Sequence, residues 1–552
     1  MKKSIKRILA ALLASIMLLC LFGCNDPEDP ATKPSGETTK VEFPLKEEVT
    51  IQIMVKDNAE RDALLEKCVL WQDLYKATNV KVEFIPLPED DPLTALNGMF
   101  TAGTEGDAIF SQFISDSDLS ALAANNLLLP LTDYINDVEL MPNFNGRVLA
   151  ESPSTEGFVA SPDGNIYCLP RYVAKEENYV EGKIFINTAW LKAVGKEVPT
   201  TLAELEDVLV AFRDGDPNGN GKKDEIPFLI STGSMNAYSH FEAFMGMYGI
   251  ATKDNTNDNY VFVENGKVNF APVTENYKDA IKTLADWYDK DLLWSECFTG
   301  TAETFNSIVT AADKNVGVMI WSGTPDNSGN WDPMLPVDVE GYDTSWFYHP
   351  GRLGVKGSFC LTKSCENPEI VMAWIDQFYS FQNSVRAVYG EAGYQYEWTA
   401  DDEITFTGAD QTVYDKMLAE SPNLGYCLGA VYQTAITQAF TAKDYAEKIH
   451  YSTEVTDPIK SYESFVMYKN ANILNDEIWP RPYFAAEDMG RLNELRTDLF
   501  NTVAEKKASW IAGNGDIDAE WDAYIASLKT MGLDEFVQIL QKTYDNFLAA
   551  QK

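Results

Sequence analysis

From Val49 onward the chain alternates two hydrophobic periods, and that alternation restricts its fold more than any other feature. Val49, Ile51, Ile53 and Val55 point to one face of a strand, while Leu64, Cys68, Trp71 and Tyr75 share one face of a helix. Val80, Val82 and Phe84 alternate again, and a second unit follows: a helix over about Pro92–Thr101, a glycine-rich turn, then Ala108-Ile-Phe110. Strands separated by helices bury both their faces only in a largely parallel sheet flanked by those helices, so the pattern predicts an α/β fold. Ligands on such sheets sit beyond the carboxyl ends of the strands. Ser111, Gln112 and Phe113 fall at such an end, and Phe113 is a candidate contact.

A different signal occupies Asp214-Gly-Asp-Pro-Asn-Gly-Asn-Gly-Lys-Lys-Asp-Glu225. Oxygen-bearing side chains recur at alternate positions, as a hard cation such as calcium requires, and Gly219 and Gly221 permit the tight curl. Two registers fit. Counted from Asp214, the loop matches D-x-D-x-N-G-x5-E and ends on Glu225. Counted from Asp216, the ligands are Asp216, Asn218, Asn220, the Lys222 carbonyl, Asp224 and Glu225. Upstream, Thr201-Leu-Ala-Glu204 is a capping box, and Leu202, Leu205, Val208, Leu209 and Phe212 form an apolar helical stripe. Downstream, Ile226-Pro-Phe-Leu-Ile230 reads as extended. A single helix–loop–strand site suits a structural staple better than a calcium sensor or a repeated adhesion module.

Phe185-Ile-Asn-Thr-Ala-Trp-Leu191, Val198-Pro-Thr-Thr-Leu202 and Asp216–Pro227 resemble the extracellular solute-binding lipoproteins of bacterial ABC importers. The likeness is to the branch that includes the alginate-oligosaccharide-binding proteins, and Trp510-Ile-Ala-Gly, Trp521-Asp-Ala-Tyr524 and Gly532-Leu-Asp-Glu-Phe536 are similar to that branch's ending. The resemblance implies a two-lobed, periplasmic-binding-protein-like fold with a ligand cleft between discontinuous lobes and a helix-rich C-terminal part. It places a first crossover after Ile166–Tyr172 and a second at Leu353–Leu361. The first lobe is then 47–171 with 354–405, and the second 172–353 with 406–552. It also favours the calcium register that starts at Asp216.

The first residues bear on compartment. Lys2, Lys3, Lys6 and Arg7 precede an apolar run from Ile8 to Phe22, too short for a span of about 20 residues but right for a signal peptide over 1–23. Leu21-Phe-Gly-Cys24 looks like a lipobox, with Cys24 as the acylated first residue of the mature chain. Residues 24–46 are polar and proline-rich, a flexible tether that would hold a soluble body on the extracellular face of the membrane. The chain carries a net charge of −40, and loss of the four leader cations takes it to −44. Such a body repels phosphate backbones, which argues against nucleic acid as a partner. Beyond Cys20 and Cys24 there are Cys68, Cys168, Cys297, Cys360, Cys365 and Cys427, without zinc spacing. A disulfide among them is compatible with the sequence, but no pairing can be assigned.

Aromatic residues are abundant, 28 Phe, 26 Tyr and 12 Trp, and flat rings suit the apolar faces of sugars. Trp71, Trp287 and Trp374 lie on helical stripes and read as core. Trp321 ends the strand-like Val316–Ile320 run just before Ser322-Gly-Thr-Pro-Asp, and in maltose-binding relatives a tryptophan in a similar place stacks on the sugar. Tyr172, Trp346 and Trp398 are further candidate ligand rings. His240, His349 and His450 fit no metal motif, and neither a G-x-S-x-G elbow nor a phosphate loop is present. The expectation is therefore a monomeric, lipid-anchored binding protein that delivers an oligosaccharide to an ABC permease, with structural calcium and no catalysis. The alternatives are a secreted glycoside-active enzyme or a binder of a non-sugar solute such as a peptide.

Overall fold

The computed structural model describes residues 40–56, 68–111, 113–175, 180, 182–231, 241–252, 260–311, 315–321, 325, 329–348, 353–393, 395–400, 402–407, 438–452, 457–480 and 482–550. Residues 1–40 form a unit of their own, of which Lys40 alone is described, so Cys24 and its expected acylation lie outside the described residues.

Strands β1 (Val49–Lys56), β2 (Val80–Leu87) and β3 (Ala108–Phe110) are mutually parallel, with helices Val69–Thr78 and Pro92–Ala102 between them. The expected α/β alternation is thus present, with Ile51, Ile53, Met54 and Val55 all buried. The chain leaves this sheet through β4 (Leu169–Val173) and enters a second one at β5 (Lys183–Asn187). Helix Leu202–Asp214 then leads through the acidic loop to β6 (Ile226–Leu229), and the hairpin of β7 (Val261–Glu264) and β8 (Lys267–Phe270) lies apart. Strands β9 (Val316–Trp321) and β10 (Trp331–Met334) complete the second sheet in the order β10-β5-β9-β6. After β11 (Trp346–Phe347) the chain returns to the first sheet as β12 (Leu353–Leu361), antiparallel to both β3 and β4. The chain thus passes from the first sheet to the second between β4 and β5 and is back in the first sheet at β12.

The second half of the first lobe departs from expectation. Strands β13 (Tyr396–Ala400), β14 (Glu403–Phe406) and β16 (Ile449–Tyr451) form a small sheet, and β15 (Ala439–Phe440) extends the first sheet beside β4. The described residues 438–451 therefore belong with the first lobe, beyond the expected bound at 405, and helix Asp457–Asn470 then carries Phe465 and Tyr468 into the second lobe's core. A two-residue strand has no periodicity to read, because its place is set by pairing with a strand some 270 positions away. β17 (Leu474–Asn475) pairs with β11. The long helices Ala486–Ile511, Ile517–Met531 and Leu533–Ala550 close the second core with Leu495, Leu499, Trp510, Trp521, Leu528 and Phe536. Cys168 and Cys360 form a disulfide across β4 and β12, a pairing the sequence left open. Among the described residues no helix is long and apolar enough to cross a membrane.

Candidate ligand-binding edge and calcium loop

Strand direction locates the edges of the two sheets that face the crossovers. β4 runs toward the first crossover, and β3 is parallel to it because both are antiparallel to β12. The carboxyl end of β3, with Ser111 and Phe113, therefore lies on the crossover side of the first lobe. In the second lobe Lys183 is the first residue of β5 after the crossover, and it pairs with Trp321 at the end of β9. Trp321 thus stands at the end of β9, on the crossover edge of the second sheet. β6 is parallel to β9, so Ser231, just beyond its end, lies on the same edge.

Trp321 is half-buried, stacked on Phe305 with ring centroids 6.2 Å apart and planes tilted by 23°. One ring face is thereby held, which limits the rotamer entropy a ligand would have to remove. Phe113 is half-buried against the cluster that contains Ile109, Leu119 and Leu122. Gln112 lies outside the described residues. Ser231 is 1% exposed and its hydroxyl has no hydrogen-bond partner among the described residues. Neither Ser231 nor Lys183 was singled out from sequence. A lysine heading the apolar Ile184–Ile186 run was the available signal, since such a cation seldom enters a core without a partner. It is fully buried and donates from Nζ to the Val180 carbonyl at 3.2 Å.

Two expected ligand rings are core instead. Tyr172 is 0% exposed, and its hydroxyl donates to Glu151 Oε1 at 2.7 Å. Trp346 is 1% exposed, packed edge-on against Tyr468 at 5.6 Å, with its indole N–H inside and without a hydrogen-bond partner among the described residues. Each is buried by segments distant in sequence: Leu474 pairs with Trp346, and Ala439 pairs with Tyr172. Trp398 is half-buried on the small sheet of the first lobe, against Phe381 and Tyr396 at 6.2 and 5.7 Å.

The helix before the acidic loop and the loop's glycine turns follow the local sequence signals. Helix Leu202–Asp214 begins at the capping box, and Leu205, Val208, Leu209 and Phe212 are buried. Gly219 and Gly221 take φ of +69° and +73°, and Asp216 itself lies at +46°. Asp214 is occupied by Arg213, whose Nε and Nη2 donate to its two carboxylate oxygens at 2.9 Å, holding its pKa below the usual range. Asp216 instead turns into the loop and accepts from Gly221 N at 3.1 Å. Asn220 Nδ2 donates to Asp224 Oδ1 at 3.0 Å, which, with Asn218 and Lys222, lowers the Asp224 pKa. Glu225 Oε1 is buried without a hydrogen-bond partner among the described residues. Among the described residues no three acidic, cysteine or histidine side chains converge as a metal site. The Asn218 and Asn220 amides here direct N–H groups at Asp224; turned over, the same amides present oxygens. An orphaned carboxylate oxygen beside two invertible amides is a donor set that fits calcium.

The chain matches the family described as bacterial extracellular solute-binding protein over residues 70–395. It belongs to that family. Over 98% of both chains, this solute-binding protein is 29% identical to the fructooligosaccharide ABC transporter substrate-binding protein FusA of Streptococcus pneumoniae serotype 4. It is 24% identical to lipoprotein LipO of Bacillus subtilis over 58% of its own length and 56% of LipO. The structure of FusA with kestose aligns at a TM-score of 0.72 and 26% identity, covering 91% of this chain and 99% of FusA. A solute-binding protein of Bifidobacterium longum infantis described as HMO-binding aligns at 0.76 and 23% identity, covering 91% and 99%. These neighbours bear out the two-lobed fold.

Proposed function

We propose that this solute-binding protein captures an oligosaccharide outside the cell and delivers it to the permease of an ABC importer. The observation that carries the reading is the likeness to FusA over 98% of both chains, because it spans both lobes and the crossovers rather than one domain. In this reading Trp321 meets a sugar ring from the second lobe, Phe113 contributes from the first, and Trp398 is a further candidate ring. Hinge motion about the crossovers encloses the ligand.

Asp216, Asn218, Asn220, the Lys222 carbonyl, Asp224 and Glu225 would hold the calcium ion. When bound, the ion would offset most of the charge of three carboxylates and tie helix Leu202–Asp214 to β6. Cys24 would carry the lipid anchor, with residues 25–46 as the tether, and the protein would work as a monomer.

The test is a thermal-shift series beginning with fructooligosaccharides and widening to other glycans, with product analysis in parallel. A bound glycan at one hundred times its Kd adds about 2.7 kcal/mol of stability. Stabilisation without new products supports the reading. Product release would make the protein an enzyme, and the absence of any stabilising glycan would make its ligand something other than a carbohydrate.

A further inference from the structure

The disulfide joins the two strands by which the chain leaves and re-enters the first sheet. Cys168 directly precedes β4 and Cys360 lies within β12; their Cα atoms are 4.7 Å apart. Both are buried, at 3% and 0% exposure. Gly357 keeps the space clear: a Cβ there would fall 2.7 Å from Leu119 Cδ1 and 3.4 Å from Cys168 Sγ. Burial pushes the Cys68 thiol up and the Cys365 thiol to about 12, which keeps both protonated and poor as nucleophiles toward a disulfide.

We propose that Cys168 and Cys360 are a site of oxidation after export, and that their bond closes residues 169–359 into a covalent ring. That ring holds both crossovers, the second sheet, the acidic loop and Trp321. The reaction that must supply it is thiol–disulfide exchange with a disulfide donor on the outer side of the membrane, either an oxidised dithiol oxidoreductase or a small-molecule disulfide. The thiolate of one cysteine attacks a donor sulfur and expels the donor's other sulfur as thiolate. The second cysteine, as thiolate, then attacks the mixed disulfide and releases the donor fully reduced. Two protons and two electrons leave the chain, and the donor takes up both electrons. Because both sulfurs end buried, exchange precedes final closure of the first lobe, and the finished bond is out of reach of external thiols.

The ring has a consequence for a protein exposed to extracellular proteases. A single cut anywhere in 169–359 leaves the two pieces covalently joined, so the crossover strands keep their spacing and the second lobe is not lost. None of this depends on which solute is carried.

Two measurements on the full chain from the cell surface test the proposal. Alkylation in denaturant without reductant, followed by digestion and mass spectrometry, should find a Cys168–Cys360 peptide pair that separates only on reduction, with Cys68, Cys297 and Cys365 already alkylated. Protein nicked once in 169–359 should run at full mass on a non-reducing denaturing gel and as two fragments after reduction. The Cys168→Ser, Cys360→Ser double variant should give two fragments without reductant and melt several degrees lower. Both cysteines alkylated before reduction, or either linked elsewhere (to Cys427, for example), would overturn the proposal. If the double variant does not accumulate, the peptide map of the unmodified protein still decides.

Discussion

Two helices, one in each lobe, begin with the same reciprocal cap, and their surroundings could hardly differ more. In the second lobe Thr201 Oγ accepts from Glu204 N at 3.3 Å, and Glu204 Oε2 accepts from Thr201 N at 3.2 Å, all of it exposed to water. In the first lobe Thr441 Oγ accepts from Asp444 N at 3.1 Å, and Asp444 Oδ2 accepts from Thr441 N at 2.7 Å. Here Thr441 and Asp444 are 5% and 2% exposed, and Asp444 also pairs with Arg147. Arg147 reaches on to the carbonyls of Tyr379 and Ala439, so this cap helps lock β15 against the first sheet. The hydrogen bonds are equivalent; what differs is the group left behind when one partner goes.

The largest effect follows at Asp444. Asp444→Ala would leave the Arg147 guanidinium, whose side chain is 17% exposed, without its paired carboxylate and with the Tyr379 and Ala439 carbonyls as its hydrogen-bond acceptors. Breaking a buried pair from one side costs about 3–5 kcal/mol. Denaturant unfolding should show that loss, and replacing Arg147 and Asp444 together by apolar residues should recover part of it. A loss under 1 kcal/mol would mean that water already screens the pair, and the contrast between the two caps would collapse.

Tryptophans extend the same contrast. Trp346 is sealed in the second core, so Trp346→Ala should cost about 3–5 kcal/mol of stability. Trp321 stands at a strand end with one face on Phe305. Trp321→Ala should weaken glycan binding by about 1–3 kcal/mol while ligand-free unfolding changes by less than that. Calorimetric binding together with unfolding on both variants separates a rim ring from a core ring. Large destabilisation at Trp321 would return it to the core.

These pairs also show what the sequence could reveal. The Thr201 cap is legible because Glu stands in the box position and an apolar stripe follows it. The Thr441 cap is not: Asp444 lies outside the usual Glu/Gln template, and Ala442–Glu447 is a six-residue helix with no stripe. The parallel strands were readable because their signals are local, as was the curl of the acidic loop. Burial of Tyr172 and Trp346, the reach of the first lobe to Tyr451 and the Cys168–Cys360 pairing each depend on segments more than a hundred positions away. One-dimensional pattern carries no record of such partners.

Carboxylates in the two settings should also answer pH in opposite directions. Burial lifts Asp376 from 3.8 to about 6, against the lowering effect of Phe144 N, Asn143 and Arg147. A folded pKa above the unfolded one gives stability that is complete below about pH 4 and is lost as pH rises through about 6. Glu204, lowered by the N–H and hydroxyl donors of Thr200 and Thr201, contributes stability present above the ordinary glutamate range and lost as pH falls. The stability difference between the native chain and Asp376→Asn should therefore shrink by about 2–3 kcal/mol from pH 4 to pH 7. A difference that grows instead would show that the three N–H bonds to Asp376 outweigh its burial.

The smallest effect is expected at the exposed cap, and it is the cleanest control on the comparison. Thr201→Ala removes the acceptor for Glu204 N, but that N–H lies at the surface and water can take it. The remaining loss is the organised first turn, about 1 kcal/mol as for other caps of this kind. Glu204→Ala should cost no more, because the Thr200 and Thr201 N–H groups it releases also turn to water. The double variant should be nearly as stable as either single one, since the two bonds form one reciprocal unit. Helix Leu202–Asp214 leads directly into the acidic loop, so chelator sensitivity on the same variants tests whether the cap reaches that far. A packed stripe of Leu205, Val208, Leu209 and Phe212 should hold the helix regardless, leaving the response to chelator unchanged. If Thr201→Ala instead cost as much as Asp444→Ala, exposure would not be what separates the two caps. The second lobe would then need a buried partner for Glu204, and among the described residues its hydrogen bonds go to Thr200 and Thr201 at the surface.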